Sequence, residues 1–140
     1  MTKVQISGTG LYTPKEILTN DELVKSYNSF VDEFNLENKD KIDKGEIDEL
    51  QKSNTEFIEK ASGVKSRYVQ NKSGILDTKF MRPRLRERSE SELSNLAEMG
   101  VAAAKQAIVN ANISVDKIDA VIVACSNLER PYPAIAIEIQ

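Results

Sequence analysis

The sequence predicts an α/β fold in which helices cover a mostly parallel sheet, and three observations support this prediction. Segments with strand patterning alternate with segments of helical periodicity, in the order strand, helix, helix, strand, helix, strand, helix. Three capping-box patterns mark the expected helix starts. The last predicted strand, residues 118–123, is apolar apart from Asp119, which is typical of a strand that a parallel sheet buries on both faces. Parallel strands need crossover connections, and the intervening helices supply them.

The first predicted strand, residues 3–7, alternates polar and apolar side chains and leads into the turn Gly8-Thr9-Gly10. A dinucleotide-binding fingerprint would add a third glycine and start a helix at once, and this sequence does neither. The turn is therefore interpreted as structural. The first helix is expected to begin near residue 20, because Thr19 and Glu22 form a capping box and apolar residues follow at helical spacing.

Residues 35–52 are charged and almost unpatterned, which predicts a solvent-facing insertion with at most a short helix near its end. A second capping box, from Ser53 to Glu56, opens a helix that is expected to end at Gly63. The period-two alternation of residues 64–70 then predicts a short strand.

A basic loop is predicted over residues 71–90. Its five cationic side chains between residues 79 and 88 are those of Lys79, Arg82, Arg84, Arg86 and Arg88. Such a cluster is either a solvated loop face or a docking patch for phosphate or an acidic partner protein. A third capping box, from Ser89 to Glu92, opens a helix that is rich in small apolar residues and ends at Asn112. That helix is expected to pack closely on more than one side.

The composition excludes several classes of function. A formal net charge of -3 gives no general attraction to nucleic acid or anionic membrane, and no apolar run approaches the ~18 residues of a membrane span. The N-terminal residues lack the apolar core of a secretory signal, so the cytoplasm is the expected compartment. One cysteine and no histidine leave no internal disulfide, no ligand set for structural zinc and no Cys–His or Ser–His–Asp chemistry within the chain.

Two features near the C-terminal end of the sequence are candidates for a site. Cys125 follows the predicted buried strand, and without an imidazole partner it is interpreted as a buried structural residue rather than a nucleophile. The stretch Arg130-Pro131-Tyr132-Pro133 presents one aromatic side chain between two prolines, which restrict the backbone. This loop is either an interface or pocket wall, or a simple entry turn to a helix.

Four stretches taken in order carry a family resemblance: ISGTGLYTPKEILTNDEL (6–23), FIEKASGVKSRYV (57–69), ELSNLAEMGVAAAKQAI (92–108) and IDAVIVACSNLERPYPAIAIEIQ (118–140). Together they resemble the start of β-ketoacyl-acyl-carrier-protein synthase III, a thiolase-fold condensing enzyme. The resemblance implies that residues 1–140 are the N-terminal part of a layered αβαβα fold. The charged insertion near 35–52 and the basic loop near 71–90 are then longer than in compact family members.

The resemblance also implies an activity. Family members load an acyl group from acyl-coenzyme A onto a cysteine and condense it with a malonyl-carrier-protein thioester, acting as homodimers without a permanently bound cofactor. The family's catalytic cysteine, histidine and asparagine would lie beyond Gln140. Cys125 is then not the nucleophile, and this chain alone is expected to be inactive. Its contribution would be binding surface and dimer contact.

Several residues acquire expected roles from the resemblance. Phe57 matches an aromatic residue that stacks on the coenzyme A adenine, and Ser53 matches a hydroxyl residue near the same group. Tyr132 matches an aromatic residue that reaches across the dimer to the partner's acyl pocket. Ala61 stands where bacterial members commonly have an arginine that completes the adenine clamp, which departs from the usual form of coenzyme A binding, and the two long segments indicate a divergent subfamily. The candidates for docking the carrier protein are Arg82, Arg84 and Arg86.

Two alternatives remain open at this point. In one, the chain is a non-catalytic binding or assembly module, whose uncovered apolar faces would require a partner. In the other, it is part of a thiolase-fold condensing enzyme of polyketide or hydrocarbon synthesis, which its preferred donor chain length would distinguish from an enzyme of fatty-acid initiation.

Overall fold

The computed structural model describes residues 4–140, and the chain divides into two compact units. The sheet unit is Pro14–Arg86. The helix unit combines the residues up to Thr13 with Glu87–Gln140. Lys3, the first residue of the first predicted strand, lies outside the described residues.

The sheet unit contains a two-stranded antiparallel sheet. Strand β1, Glu16–Thr19, pairs with strand β2, Ser66–Val69, and Leu18 of β1 is buried. The sequence predicted β2 but not β1, because four residues after a proline carry too little periodicity. The pairing is antiparallel, not parallel as expected. The chain leaves β1 at Thr19 and enters β2 beside that same residue, so β2 runs back along β1. The N–H of Asn20 donates to the carbonyl of Lys65 at 3.2 Å, so β2 starts where β1 ends.

Helix α1, Asn20–Glu37, begins as predicted. The Thr19 N–H and Oγ1 both donate to Glu22 Oε2, at 3.0 and 2.9 Å, and the Glu22 N–H donates to Thr19 Oγ1 at 3.3 Å. Both halves of the capping box are therefore present, and they satisfy backbone donors that no helical carbonyl can reach. Val31 is buried on the apolar face of this helix.

Helix α3 is Thr55–Ser62, and its N-cap, Asn54, lies one residue after the predicted cap, Ser53. Asn54 Oδ1, not the Ser53 hydroxyl, accepts the N–H of Phe57 at 2.7 Å. Serine and asparagine cap helices about equally well, so the sequence alone does not distinguish the two neighbours. Gly63 ends the helix as predicted, with a φ of 71° that lies in the left-handed region favoured by glycine.

The two segments predicted to be mostly irregular each carry a short helix. Helix α2, Lys39–Asp43, lies near the beginning of segment 35–52 instead of near its end. Helix α4, Lys72–Ile75, lies in the basic loop, where Asn71 Oδ1 accepts the N–H groups of Gly74 and Arg84, each at 2.9 Å. Near the end of the insertion, Leu50 is half-buried and hydrogen-bonded to Asn35 of α1, whereas Gln51 and Lys52 are exposed as predicted.

Helix α5, Asn95–Ala111, is the main element of the helix unit. Ser94 caps it, since its Oγ accepts the N–H of Ala97 at 3.2 Å. The predicted capping contact between Ser89 and Glu92 does form, with the Ser89 N–H donating to Glu92 Oε2 at 3.0 Å, but it closes a turn ahead of the helix. Asn112 ends the helix as predicted, in the left-handed conformation with a φ of 53°.

The turn Gly8-Thr9-Gly10 packs against α5. A Cβ atom at Gly10 would lie 1.9 Å from the carbonyl oxygen of Ala103, and one at Gly8 would lie 2.4 Å from that of Ala107. No side chain fits at either position. The structural interpretation of this turn is therefore supported, and the small residues of α5 allow the close approach.

The segments predicted as strands at 3–7 and 118–123 are not strands in the described part of the chain. Within residues 4–140 the pairing of β1 with β2 is the only strand pairing. Ile122 is 93% exposed, whereas the apolar pattern of residues 118–123 predicted that it would lie in a buried strand. A strand requires a hydrogen-bonded neighbour, and an apolar run without one does not form a sheet. A 3-10 turn, Val115–Lys117, precedes the second segment and helix α6, Ile135–Ile139, follows it.

No helix among residues 4–140 is both long enough and apolar enough to cross a membrane.

Candidate functional site

The sheet unit contains a cavity of about 580 Å³. Its walls come from α1, from α3 and from the extended residues that precede α3. The lining residues are Leu23, Val24, Ser26, Tyr27, Gln51, Lys52, Ser53, Asn54, Phe57, Ile58, Ile75 and Met81. Most of this lining is apolar, with a few polar groups, which is the usual composition of a small-molecule site.

The structure brings Ser53 and Phe57 together at this cavity, and their predicted contact with coenzyme A stays a prediction. Ser53 lies immediately before the N-cap of α3, and Phe57 lies in its first turn. The Phe57 side chain is 64% exposed, so much of its ring is open to a ligand. A large aromatic ring that is exposed at a cavity is suited to stacking on a planar group.

Ala61 stands on α3 four residues after Phe57. Residues four apart on a helix lie on the same face, so this position is a neighbour of the Phe57 ring. An alanine supplies neither charge nor hydrogen-bond donor there. Position 61 therefore lacks the charge and the hydrogen-bond donors of the arginine that the family resemblance predicts there.

The sequence did not identify the polar side of the cavity. Gln51 and Lys52 belong to the charged segment that was predicted to face solvent; both are exposed, and both also line the cavity. The Tyr27 hydroxyl donates to the Gln51 carbonyl at 3.3 Å, and Lys52 Nζ lies 2.8 Å from Asp32 Oδ1. The spacing of polar side chains along α1 was a signal for this arrangement, but it identifies no contact until the fold is known.

The basic loop brings two of its three candidate docking residues together. The guanidinium carbons of Arg82 and Arg84 lie 4.6 and 5.0 Å from the centroid of the Phe80 ring. Both distances allow cation–π attraction. Arg86 is exposed in the same loop. The result is a surface with aromatic and cationic character, which we call the basic patch: Phe80, Arg82, Arg84 and Arg86.

Asp77 fixes one side of the basic patch. Its carboxylate accepts the backbone N–H of Lys79 and pairs with the Arg84 guanidinium, and in that order these contacts hold the pKa of Asp77 below its usual value. Arg84 is thereby oriented, and its backbone N–H is held by Asn71. Arg82 has no acidic partner among the ion pairs of the described residues.

Cys125 is exposed, in contrast to its predicted burial. Its thiol lies 2.6 Å from the carbonyl oxygen of Asn127, to which it donates a hydrogen bond. The expected burial depended on a strand over residues 118–123, and that strand is not formed among the described residues. The chain contains no histidine that could act as the base for this thiol.

Tyr132 is 86% exposed in the helix unit and is joined to Pro133 by a cis peptide bond. Helix α6 follows shortly afterwards, so the loop is an entry turn to a helix and also presents an aromatic side chain. The predicted dimer contact of Tyr132 stays a prediction. Among residues 4–140, no three His, Cys, Asp or Glu side chains are grouped closely enough to hold a metal ion.

No protein-family model matches the chain. It is 55% identical over 117 residues to the β-ketodecanoyl-acyl-carrier-protein synthase of Pseudomonas aeruginosa, an alignment that covers 84% of this chain and 33% of that protein. It is 29% identical over 140 residues to the β-ketoacyl-acyl-carrier-protein synthase III of Bartonella tribocorum, which covers all of this chain and 30% of that protein. The corresponding synthase of Clostridium acetobutylicum is 26% identical over 140 residues, with 29% of its length covered.

The chain thus spans about a third of the length of the curated relatives that it matches. The resemblance found in the sequence is confirmed by these alignments, and over that third the chain is homologous to the β-ketoacyl-acyl-carrier-protein synthase III proteins.

Proposed function

We propose that the chain is the N-terminal part of a β-ketoacyl-acyl-carrier-protein synthase III-like acyltransferase of fatty-acid synthesis. The observation that carries this proposal is the 55% identity to the Pseudomonas aeruginosa synthase over 84% of the chain. The whole protein would condense an acyl group delivered by acyl-coenzyme A with a malonyl group on acyl-carrier protein. The catalytic cysteine, histidine and asparagine would lie in the remainder of the protein, and residues 1–140 would supply binding surface.

The name of that relative indicates the acyl donor. A β-ketodecanoyl product contains ten carbons, and condensation with malonyl adds two carbons as the third leaves as carbon dioxide. The acyl donor is then an eight-carbon thioester. The carbanion formed by decarboxylation attacks the octanoyl carbonyl carbon, and the thiolate that held the octanoyl group leaves. We propose octanoyl-coenzyme A as the preferred donor of this protein as well.

Within this chain, Ser53 and Phe57 would contact the nucleotide of acyl-coenzyme A. Their shared cavity and the exposed ring of Phe57 support this assignment. Stacking of a base on an aromatic side chain contributes about 1–3 kcal/mol. Because Ala61 supplies no second clamp residue, Phe57 would provide a larger share of the adenine contact than in a two-residue clamp.

The assay uses the purified whole protein with malonyl-acyl-carrier protein and a series of acyl-coenzyme A donors. We expect the highest kcat/KM with octanoyl-coenzyme A. Phe57→Ala should raise the KM for the donor about tenfold, the loss of one stacking contact. Glu56→Ala, a change at an exposed neighbour on the same helix, is the matched control and should leave the KM unchanged. Absence of condensation with every donor would contradict the proposed function.

The acyl-carrier protein is the partner proposed for the basic patch. The exposed cations around Phe80 support docking of an acidic protein, because they create a local positive field on a chain of net charge -3. Replacing Arg82, Arg84 and Arg86 with Glu should weaken carrier-protein binding without unfolding the protein.

Because Arg84 also pairs with Asp77, the double Arg82→Glu, Arg86→Glu variant is measured beside the triple variant. Replacement of Lys39, Lys41 and Lys44 with Glu makes the same change of charge near α2 and is the control. Unchanged carrier-protein affinity of the double and triple variants at low salt would reject the docking role.

A homodimer with Tyr132 at its interface is proposed with the same enzyme, and the exposure of that ring supports it. A binding or assembly module is the second candidate, because Ile6, Val109 and Ile122 expose most of their apolar surface in the helix unit. Sedimentation of the 140-residue chain separates the two. A folded, well-behaved monomer would favour an independent module over part of a larger enzyme.

A further inference from the structure

Two asparagines of α1 hold the extended residues 50–53 against the side of that helix. Asn28 Nδ2 donates to the Ser53 carbonyl at 3.0 Å, and the Ser53 N–H donates to Asn28 Oδ1 at 2.9 Å. Asn35 makes the same pair of bonds with Leu50, each at 2.9 Å. We call these four hydrogen bonds the asparagine clamp and residues 50–53 the wall segment.

The spacing of the clamp matches helix geometry to strand geometry. Asn28 and Asn35 are seven residues apart, which is a rise of about 10.5 Å along an α-helix. Leu50 and Ser53 are three residues apart, which is about 10 Å in an extended chain. The two lengths agree, so both amides reach their backbone partners without distortion. The wall segment runs antiparallel to α1, since Asn28 bonds the later residue and Asn35 the earlier one.

Only a carboxamide side chain makes both bonds of each pair. Asparagine offers an N–H donor and a carbonyl acceptor on one short, planar group, as a peptide unit does. Leucine has a similar volume but neither polar group, and aspartate keeps the acceptor while losing the donor. Each asparagine therefore pairs with the wall segment in the manner of a neighbouring strand.

The asparagine clamp fixes the position of the wall segment, which forms one side of the cavity. Gln51, Lys52 and Ser53 all line the cavity and all belong to the wall segment. Between the two clamped residues of the wall segment, the Gln51 carbonyl accepts a hydrogen bond from the Tyr27 hydroxyl and Lys52 pairs with Asp32. Asn54, the next residue, caps α3 and thereby positions Phe57. Loss of the clamp would release this wall and loosen the start of α3.

We propose that Asn28 and Asn35 are positioning residues for the acyl donor, which preorganise the cavity wall that carries Ser53 and leads to Phe57. This inference rests on the proposed function, since acyl-coenzyme A is the ligand. If the wall segment is ordered in only a fraction of the molecules, only that fraction can bind the donor. The apparent Kd then equals the intrinsic Kd divided by that fraction. The clamp therefore affects donor binding more than the chemical step.

The test compares Asn28→Leu and Asn35→Leu with the wild type in the whole protein. Each variant should raise the KM for octanoyl-coenzyme A about tenfold while kcat stays within about twofold. Hydrogen exchange at the Leu50 and Ser53 amides should accelerate more than about tenfold, because their N–H groups lose the Oδ1 acceptors. Asn28→Asp keeps one bond of its pair and should give an intermediate KM.

Asn38→Leu is the matched control. Asn38 lies at the end of the same helix, and its side chain bonds only the Phe34 carbonyl among the hydrogen bonds resolved for it, away from the wall segment. It should change neither the KM nor the two exchange rates. A clamp variant with accelerated exchange but an unchanged KM would overturn the positioning role and leave the proposed function standing. A wild-type protein that uses no acyl-coenzyme A would remove both together.

Discussion

A predicted strand forms in the sheet unit, but the predicted strand at residues 118–123 of the helix unit does not form among the described residues. In the sheet unit, β2 pairs with β1, and Leu18 of β1 is 1% exposed. In the helix unit, residues 118–123 have a stronger apolar pattern, yet they have no paired strand among the described residues, and Ile122 is exposed. Apolar patterning alone therefore does not produce a strand. A hydrogen-bonded neighbour within reach of the chain decides the outcome.

Helix ends behave alike in both units, which sharpens the comparison. The start of α1 at Thr19, the end of α3 at Gly63 and the end of α5 at Asn112 all lie where the sequence predicts them. Caps depend on residues within one turn, so they form wherever the helix does. Strands depend on partners far away in the sequence, and only one of the two units supplies such a pair within the described residues.

The largest effect expected from this comparison is on stability. Leu18→Ala should lower the free energy of unfolding by about 3 kcal/mol, because it opens a cavity beside β2 where the side chain is now buried. Ile122→Ala should change it by less than about 0.5 kcal/mol, because that side chain is already in solvent. Urea unfolding of the 140-residue chain followed by circular dichroism measures both. Equal losses for the two variants would contradict the difference between the units.

Glycines give a second, smaller contrast. Gly10→Ala should cost about 2 kcal/mol, because its Cβ would meet backbone atoms of α5 that cannot move aside easily. Gly45 has a φ of 70° with open space around it, so Gly45→Ala should cost only about 1 kcal/mol of backbone strain. Thermal unfolding of both variants tests the ranking. A Gly10→Ala variant as stable as the wild type would show that the turn does not need the close approach to α5.

The fold was predictable to the extent that its signals are local. The helices α1, α3 and α5 follow from capping residues and apolar periodicity. The start of α3 differs by one residue, because Ser53 and Asn54 are adjacent capping residues, and α5 starts after Ser94 because the predicted Ser89–Glu92 box closes a separate turn. The apolar pattern of residues 118–123 was not enough to predict whether this segment joins a parallel sheet. Pairing depends on neighbours that this segment does not meet within the described residues.

The candidate site divides in the same way. Ser53 and Phe57 became candidates through a family resemblance, and both lie at one cavity. Asn28 and Asn35 were not identified, because a polar residue on a helix surface is ordinarily solvated. Their seven-residue spacing acquires meaning only when an extended segment runs beside α1. Charge composition assigned Lys52 to solvent, and its side chain is exposed, but the composition did not indicate that its backbone belongs to the clamped wall segment.

The smallest expected effect concerns pH and the capping box of α1. Lys72 bonds the Glu22 carboxylate, and the N–H and hydroxyl of Thr19 add to it, so the pKa of Glu22 falls from 4.5 to about 2. A lowered pKa means that the folded state favours the charged form. The stabilisation is therefore complete above pH 4.5 and is lost as the pH falls towards 2.

Glu22→Gln should remove this part of the acid dependence of unfolding and leave the rest of the profile in place. Lys72→Met should weaken the dependence without abolishing it, because both Thr19 donors remain. Urea unfolding at a series of pH values between 2 and 7 measures the slope for each variant. The slope in question is that of the free energy of unfolding against pH between 4.5 and 2. If Glu22→Gln keeps the wild-type slope, titration of Glu22 does not affect stability, and the capping-box contacts of this carboxylate stabilise the fold no more than an exposed ion pair.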